Sequence, residues 1–210
     1  TVPGRPVVVL SGPSFAVEVA QGQPTAVVAA SSDRDAVRRI QLTMSSTTFR
    51  VYTSDDVVGV AVGGALKNVM AVAAGIAEGL ELGLNSRAAL ITRGLAEMTR
   101  LGAAMGANVA TFSGLAGLGD LVLTCTGALS RNRSVGIEVG RGRRVEDVLA
   151  ARETVAEGVT TARSAYLLSQ RLRVEMPIVA AVQRVLFEGQ PPRAAMLELM
   201  TRELRAERDA

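Results

Sequence analysis

The fold is decided by a long apolar run, which reads VVGVAVGGALKNVMAVAAGIA from Val57 to Ala77. Lys67 lies near its middle, and it is the only lysine in a chain whose other basic residues are all arginines. Arginine cannot lose its proton in a protein, whereas lysine can. Lys67 is therefore a candidate general acid or base, or a candidate anion-binding charge.

The spacing of the run predicts a helix, which places Gly63, Gly64, Met70 and Ala71 on the same face as Lys67. Three of these four neighbours are small, so a ligand has room to lie against the ammonium group. The alternatives are a core helix whose lysine reaches solvent and a membrane span with a stray charge. Because a charge at mid-span costs about 2.5 kcal/mol or more, we expect no membrane insertion.

The composition excludes several kinds of site. The chain has 210 residues, of which 48% are hydrophobic, enough for a substantial core. It has no histidine and a single cysteine, Cys125, so we expect no histidine-based catalysis, internal disulfide or metal site. One free thiol fits a reducing cytoplasm. A net charge of +3, without a basic tract that carries aromatic residues, does not favour binding to nucleic acid.

Residues 1–55 follow the pattern β-α-β-α-β. Apolar runs at 6–10 and 25–30 and an alternating run at 48–53 predict three strands, and the segments between them have helical spacing. Three strands make a thin sheet that needs neighbours. We therefore expect an α/β remnant in residues 1–55, followed by an all-helical domain in residues 56–210.

A glycine-rich segment leads to a carboxylate in apolar surroundings. Gly114, Gly117 and Gly119 precede Asp120, which is followed by the apolar residues of the next helix. An unpaired buried carboxylate is costly. Asp120 therefore needs a partner, and Lys67 is the candidate by chemistry.

Three other polar segments leave alternatives open. Ser130–Arg133 offers several hydrogen-bond donors, and arginine binds phosphate through two parallel hydrogen bonds. A solvated basic turn is the simpler interpretation of that segment alone. Ser14, after the Gly12-Pro13 turn, is predicted to cap the first helix. Glu157 precedes a glycine and is predicted either to accept hydrogen bonds from a ligand or to cap a turn.

Two predictions concern helix faces. Arg93 and Glu97 are four residues apart, which predicts an ion pair on the exposed face of their helix. The last helix is predicted to direct four apolar side chains into the core, namely Met196, Leu199, Met200 and Leu204.

Five motifs occur in one order along the chain: Ser11–Ala16 (SGPSFA), Gly63–Asn68 (GGALKN), Ala88–Met98 (AALITRGLAEM), Gly114–Asp120 (GLAGLGD) and Ser130–Arg133 (SRNR). Each alone is moderately specific, but together they are highly specific. The chain resembles the bacterial-type NAD(P)-dependent glycerol-3-phosphate dehydrogenase family over nearly its whole length.

This resemblance implies an oxidoreductase that interconverts dihydroxyacetone phosphate and sn-glycerol 3-phosphate with NAD or NADP, for glycerophospholipid biosynthesis. It also implies a helical domain of the 6-phosphogluconate dehydrogenase C-terminal-like type after the end of a Rossmann-type domain. Lys67 corresponds to the proton-transferring lysine of the family. The implied substrate contacts are Gly12, Ser14, Lys67, Asp120, Ser130, Arg131 and Asn132. The implied contacts with NAD(P)H are Ala16, Arg131, Val155 and Glu157.

One feature of the family is missing from the sequence. The dinucleotide-binding fingerprint Gly-x-Gly-x-x-Gly does not occur after a first strand. We therefore expect that this chain does not catalyse cofactor-dependent reduction unless the missing half is supplied. The alternatives are another oxidoreductase of the superfamily acting on a small phosphorylated or acidic substrate, and a non-catalytic helical module that binds a ligand or dimerises. A homodimer is also compatible with the alanine-rich helices.

Overall fold

The computed structural model describes residues 4–152 and 155–207. The outer bounds of the two predicted domains, at residues 1 and 210, lie outside this part. The elements in chain order are β1 (Val9–Ser11), α1 (Ala16–Ala20), β2 (Thr25–Ala30), α2 (Arg34–Met44), β3 (Phe49–Ser54), α3 (Val57–Gly79), α4 (Leu84–Ala104), a 3₁₀ turn (Val109–Ser113), a π turn (Leu115–Gly119), α5 (Asp120–Thr126), α6 (Arg131–Gly140), α7 (Val145–Ala150), α8 (Glu157–Leu172), α9 (Pro177–Phe187) and α10 (Pro192–Met200). The predicted fold class, a small α/β part followed by a helical part, is confirmed.

The three strands form one sheet in the order β1-β2-β3. β1 runs antiparallel to β2, with Val9 opposite Ala30, and β2 runs parallel to β3, with Thr25 opposite Phe49. The first helix is not capped as predicted: Ser14 donates its hydroxyl to the Gly12 carbonyl at 3.0 Å instead. The turn that leaves β1 faces the helical part of the chain, because the Gly12 amide donates a hydrogen bond to Asp120 at 3.3 Å.

α3 is the central helix of the chain. It begins after Asp56, whose side chain accepts a hydrogen bond from the Gly59 amide at 2.9 Å, and it packs against α4, α5, α6, α8 and α9. By length and composition α3 is the one helix in the described ranges that is apolar enough to cross a membrane, and 67% of its apolar window is buried among the other helices. A core helix of this kind gives the same apolar signal without a membrane.

Glycines allow α3 and α6 to touch backbone to backbone. Gly75 and Gly79 of α3 face Gly136 and Gly140 of α6, and a Cβ atom built on Gly75 would lie 2.9 Å from the Gly136 Cα. No side chain larger than hydrogen fits at these positions without separating the helices. The contact therefore holds the two helices that carry Lys67 and the Ser130–Arg133 segment in a fixed relation.

The predicted surface pair between Arg93 and Glu97 is wrong. Glu97 is only 1% exposed, and its carboxylate accepts hydrogen bonds from the amides of Ile178 at 2.6 Å and Val179 at 3.2 Å. These amides belong to the first turn of α9, where unpaired donors favour a negative charge. Burial nevertheless outweighs the two amides and raises the pKa of Glu97 to about 7. Glu97 thus joins α4 to α9 inside the core.

We expect Glu97 to make stability depend on pH. Because its pKa in the folded state lies above the usual 4.5, the folded protein keeps a proton between pH 4.5 and 7 that the unfolded chain has released. This proton stabilises the folded state fully below pH 4.5, and the free energy of unfolding falls by about 3 kcal/mol as the pH rises from 4.5 through 7. Urea unfolding at pH 5 and pH 8 measures it. The Glu97→Gln variant should lack this component, and equal pH slopes in the two proteins would contradict the prediction.

The last helix is less buried than predicted. Ala195 is its buried residue, whereas Met200 is 74% exposed and Leu204, beyond the helix end, is 95% exposed. α10 ends at Met200, so the helical spacing that was extended to Leu204 does not apply there. The prediction of an inward position is wrong for Met200 and Leu204.

Candidate active site

Lys67 and Asp120 form an ion pair, as their chemistry predicted. Lys67 lies in the third turn of α3, and Asp120 is the first residue of α5. The Lys67 Nζ donates to the Oδ2 atom of Asp120, with 20% of the lysine side chain and 2% of the aspartate side chain exposed. The carboxylate is therefore enclosed, and the amine keeps an opening to one side.

Close backbone contact brings the pair together. A Cβ atom on Gly63 would lie 2.4 Å from the Ala116 carbonyl oxygen, and one on Gly117 would lie 2.1 Å from the Phe112 carbonyl oxygen. The π turn Leu115–Gly119 is therefore pressed against α3 one turn before Lys67. This contact explains the glycine at position 117, since a side chain there would push the turn away and move the carboxylate from the amine.

Asp120 receives further hydrogen bonds. The Gly12 amide donates to Oδ2 at 3.3 Å, and the Thr124 hydroxyl lies 3.3 Å from Oδ1. Burial raises the pKa of Asp120 above its usual value, while Lys67, Thr124 and Gly12 act in the opposite direction. The carboxylate is thus stabilised as an ion mainly by the amine that it holds.

Some side chains of the Ser130–Arg133 segment stabilise the fold, and others face the pocket. Ser130 caps α6 by accepting a hydrogen bond from the Arg133 amide at 3.3 Å. Arg133 turns away and pairs with Glu78 of α3. Arg131, in contrast, has 54% of its side chain exposed at the mouth of the pocket, 4.0 Å from a carboxylate oxygen of Glu157. The first turn of α6 and the Arg131 guanidinium therefore offer donors at one place.

Asn132 connects three helices beneath the pocket. Its amide donates to the Asn68 side-chain carbonyl at 3.0 Å, and its own carbonyl accepts from the Gly158 amide at 2.8 Å. Asn68 in turn lies 3.4 Å from a Glu157 carboxylate oxygen. This network fixes α3, α6 and α8 relative to one another next to Lys67.

Replacing Asn132 with alanine is expected to lower the free energy of unfolding by about 2 kcal/mol, because the buried groups of Asn68 and Gly158 lose their partner. Chemical denaturation of both proteins measures the change. Asn85→Ala on the exposed start of α4 is the matched control and should have little effect. Equal losses in the two variants would contradict a buried network.

The sheet supplies the opposite wall of the pocket. Gly12 follows β1 with φ +140°, and a Cβ atom there would lie 2.9 Å from the Val27 Cα, so only glycine fits. Ser14 and Ala16 follow at the start of α1. The site thus lies between the end of β1 and the helical domain.

The resulting pocket has a volume of about 750 Å³, within the usual range for small-molecule sites. Val155 does not line it and is 68% exposed. Several further lining residues were not predicted as site residues, among them Ser11, Gly64, Asn68 and Thr124. Asn68 follows Lys67 in the sequence, and Gly64 shares a helical face with Lys67 by its spacing. These were the sequence signals that pointed to the two residues. The other predicted site residues line the pocket, namely Gly12, Ser14, Ala16, Lys67, Asp120, Ser130, Arg131, Asn132 and Glu157.

The fold and the pocket define a class of two-part proteins, in which a small α/β sheet and a helical domain enclose a small-molecule site at their junction. Comparison with known proteins identifies the family within this class. The family model of the NAD-dependent glycerol-3-phosphate dehydrogenase C-terminus matches residues 56–197, and that of the N-terminus matches residues 1–37. The chain belongs to the NAD-dependent glycerol-3-phosphate dehydrogenase family.

Curated relatives agree. The chain is similar to the glycerol-3-phosphate dehydrogenases (NAD(P)+) of Geobacter metallireducens, at 63% identity, and Geobacter sulfurreducens, at 64% identity. Each match covers 95% of this chain and 60% of the relative. The chain therefore spans about three fifths of the length of these relatives.

Solved structures show the same fold. The crystal structure of glycerol-3-phosphate dehydrogenase from Coxiella burnetii matches with a TM-score of 0.92 at 45% identity, over 94% of this chain and 61% of that one. The enzyme from Saccharomyces cerevisiae matches with a TM-score of 0.79 at 26% identity, over 92% of this chain and 59% of that one. The arrangement of sheet and helices described above is therefore that of the family.

Proposed function

We propose that this chain forms the substrate-binding and proton-transferring part of an NAD(P)-dependent glycerol-3-phosphate dehydrogenase. The reaction is the interconversion of dihydroxyacetone phosphate and sn-glycerol 3-phosphate, in the cytoplasm and in support of glycerophospholipid biosynthesis. The observation that carries the proposal is the Lys67–Asp120 pair in a pocket with the Arg131 guanidinium at its mouth. Family membership and the named relatives support it.

The phosphate is proposed to bind at the start of α6. Arg131 offers two parallel donors from its guanidinium, and the first turn of the ten-residue helix α6 adds amides and the positive end of the helix dipole. Ser130 and Asn132 flank Arg131 and line the same pocket. A three-carbon phosphate ester bound there would extend toward Lys67, with Gly12 and Ser14 on the opposite wall.

Lys67 is proposed to be the general acid for ketone reduction. A bound nicotinamide supplies the hydride that reaches the ketone carbon. The Lys67 ammonium would stabilise the negative charge on the ketone oxygen and donate a proton to it. Asp120 holds the amine in position and balances its charge. In the reverse direction the neutral amine accepts the alcohol proton.

The cofactor is proposed to be NAD or NADP, with NADPH in the reductive direction. Gly12 and Ala16 follow β1 and line the pocket, and we propose that these small residues leave room for the nicotinamide ring. Glu157 and Arg131 lie at the mouth, where they would meet the polar part of the cofactor. Val155 is also a proposed cofactor contact, which the resemblance to the family implies, although it lies outside the pocket lining.

The division at residues 55 and 56 is proposed to separate the end of the nucleotide-binding domain from the helical substrate domain. We further propose that the protein does not insert into membranes and that the helical domain forms a homodimer. We also propose that the 210 residues alone lack activity, because the glycine fingerprint is absent from their sequence.

A chimera tests the function directly. The chain is joined to the N-terminal part of the Geobacter sulfurreducens relative that the chain does not match. NADPH oxidation is then followed after addition of dihydroxyacetone phosphate. We expect turnover by the chimera and none by the 210 residues alone. Dihydroxyacetone without phosphate should be at least about 100-fold poorer in kcat/KM, because it lacks charge-assisted hydrogen bonds. A folded chimera without phosphate-dependent turnover would contradict the proposal.

A further inference from the structure

The Ser11 hydroxyl lines the pocket but has no part in the function proposed above. Ser11 is the last residue of β1, and its Oγ lies 3.5 Å from the Oδ2 atom of Asp120. The same oxygen accepts hydrogen bonds from the Lys67 amine and from the Gly12 amide. Donors from the sheet and from the helical domain therefore converge on one carboxylate oxygen.

The hydroxyl lies against a bare part of α3. A Cβ atom built on Gly64, three residues before Lys67, would be 2.8 Å from the Ser11 Oγ and 3.6 Å from its Cβ. That is closer than such atoms normally approach, so even alanine at position 64 would displace the hydroxyl. Gly64 and Ser11 thus form a matched pair beside the reactive amine.

A donor at this place acts on the carboxylate in two ways. A hydrogen bond to an ionised carboxylate stabilises its charge, and it also restricts rotation of the group. Burial acts in the opposite direction and raises the pKa of Asp120. The other charged groups that share the pocket are Lys67 of α3, Arg131 of α6 and Glu157 of α8.

We propose that Ser11 is a positioning residue, which orients the Asp120 carboxylate toward Lys67, and that Gly64 provides the space that this requires. The assignment rests on the proposed function, because a positioned amine matters only if Lys67 transfers a proton. It also gives the sheet a direct part in the reaction. The end of β1 would contact the Lys67–Asp120 pair through the Ser11 side chain, in addition to the contact made by the backbone of Gly12.

The first test uses the 210-residue chain and needs no turnover. The ¹³Cγ signal of Asp120, identified by its loss in Asp120→Asn, is followed through a pH titration. We expect Ser11→Ala to move its midpoint to higher pH, Ser11→Thr to restore it, and Gly64→Ala to reproduce the alanine effect. Because Ser11→Ala and Gly64→Ala remove the same contact, the double variant should have the same midpoint for Asp120 as either single variant. Ser54→Ala, at the end of β3, is the matched control.

The second test measures kinetics in the chimera. Ser11→Ala should lower kcat about three- to tenfold, the usual effect of one hydrogen bond, with KM nearly unchanged and the acidic limb of the kcat profile moved to higher pH. An unmoved midpoint for Asp120 in Ser11→Ala would overturn the positioning role even if the chimera is active. If the Asp120 midpoint moves in the 210-residue chain but the chimera does not reduce dihydroxyacetone phosphate, the orienting contact of Ser11 is retained and the proposed function is rejected.

Discussion

Replacing Lys67 with arginine is expected to lower kcat of the chimera about 100-fold or more, with only a small change in KM. Arginine keeps the positive charge that Asp120 binds, but it does not release a proton at any ordinary pH. General acid catalysis contributes about 10²- to 10⁴-fold to such reactions. The loss should therefore appear in the chemical step. Steady-state and single-turnover measurements with saturating dihydroxyacetone phosphate and NADPH separate it from binding.

The matched control reverses the substitution at an exposed site. Arg141→Lys lies beyond the end of α6, with 65% of the arginine side chain exposed, and should leave kcat unchanged. Lys67→Met removes both charge and proton and should be at least as inactive as Lys67→Arg. Full activity of Lys67→Arg would show that position 67 supplies charge only, and the proton would have to come from another group.

Replacing Gly136 with valine is expected to reduce the free energy of unfolding by about 4 kcal/mol or more. A Cβ atom at this position would lie 2.1 Å from the Val72 carbonyl oxygen and 2.9 Å from the Gly75 Cα. Both neighbours are backbone atoms in the middle of α3, so they cannot turn aside as a side chain would. Overpacking alone typically costs about 1–3 kcal/mol, and here the helices must also separate. Urea unfolding followed by circular dichroism measures the loss.

The same variant should damage the pocket. α3 carries Lys67, and α6 carries Arg131 and Asn132, so separating these helices moves the amine away from the proposed phosphate site. Gly83→Ala is the control, because among the described residues none other than its chain neighbours has an atom within 4 Å of its Cβ position. A Gly136→Val protein as stable as Gly83→Ala would contradict the close contact between α3 and α6.

The central parts of the site were predictable because they follow from local chemistry. A single lysine in an apolar helix and a carboxylate after three glycines each required an explanation, and pairing them satisfied both. The structure joins Lys67 to Asp120. The strands at Thr25–Ala30 and Phe49–Ser54 were also predictable, because apolar runs bounded by turn residues carry that information in their own sequence.

Other features depend on contacts between distant segments. Glu97 has the spacing of a surface ion pair with Arg93, but its partners are amides of α9, 81 and 82 positions along the chain. Helical periodicity states which side chains share a face, and it does not state which face another helix will cover. The exposed position of Leu204 has another cause, since α10 ends at Met200 and the apolar spacing continues beyond that end. Met200 is the last helical residue and is itself 74% exposed, which its spacing did not indicate.

The unpredicted pocket residues show the same limit. Ser11 is a common residue at the end of a strand, and only the approach of α3 at Gly64 places its hydroxyl beside Asp120. Val155 is the opposite case, since its proposed role came from the family resemblance and its side chain lies outside the pocket lining. Sequence patterns thus located the Lys67–Asp120 ion pair, whereas the residues around it depend on contacts between distant segments.

The most direct test of the account observes Lys67 itself. It is the only lysine in the chain, so a chimera that carries ¹³Cε-lysine only in this segment gives one lysine signal. We predict that the signal shifts saturably when dihydroxyacetone phosphate is added, and that the shift weakens strongly in Arg131→Ala. A chimera that reduces dihydroxyacetone phosphate while the Lys67 signal does not respond would contradict the role assigned to this amine.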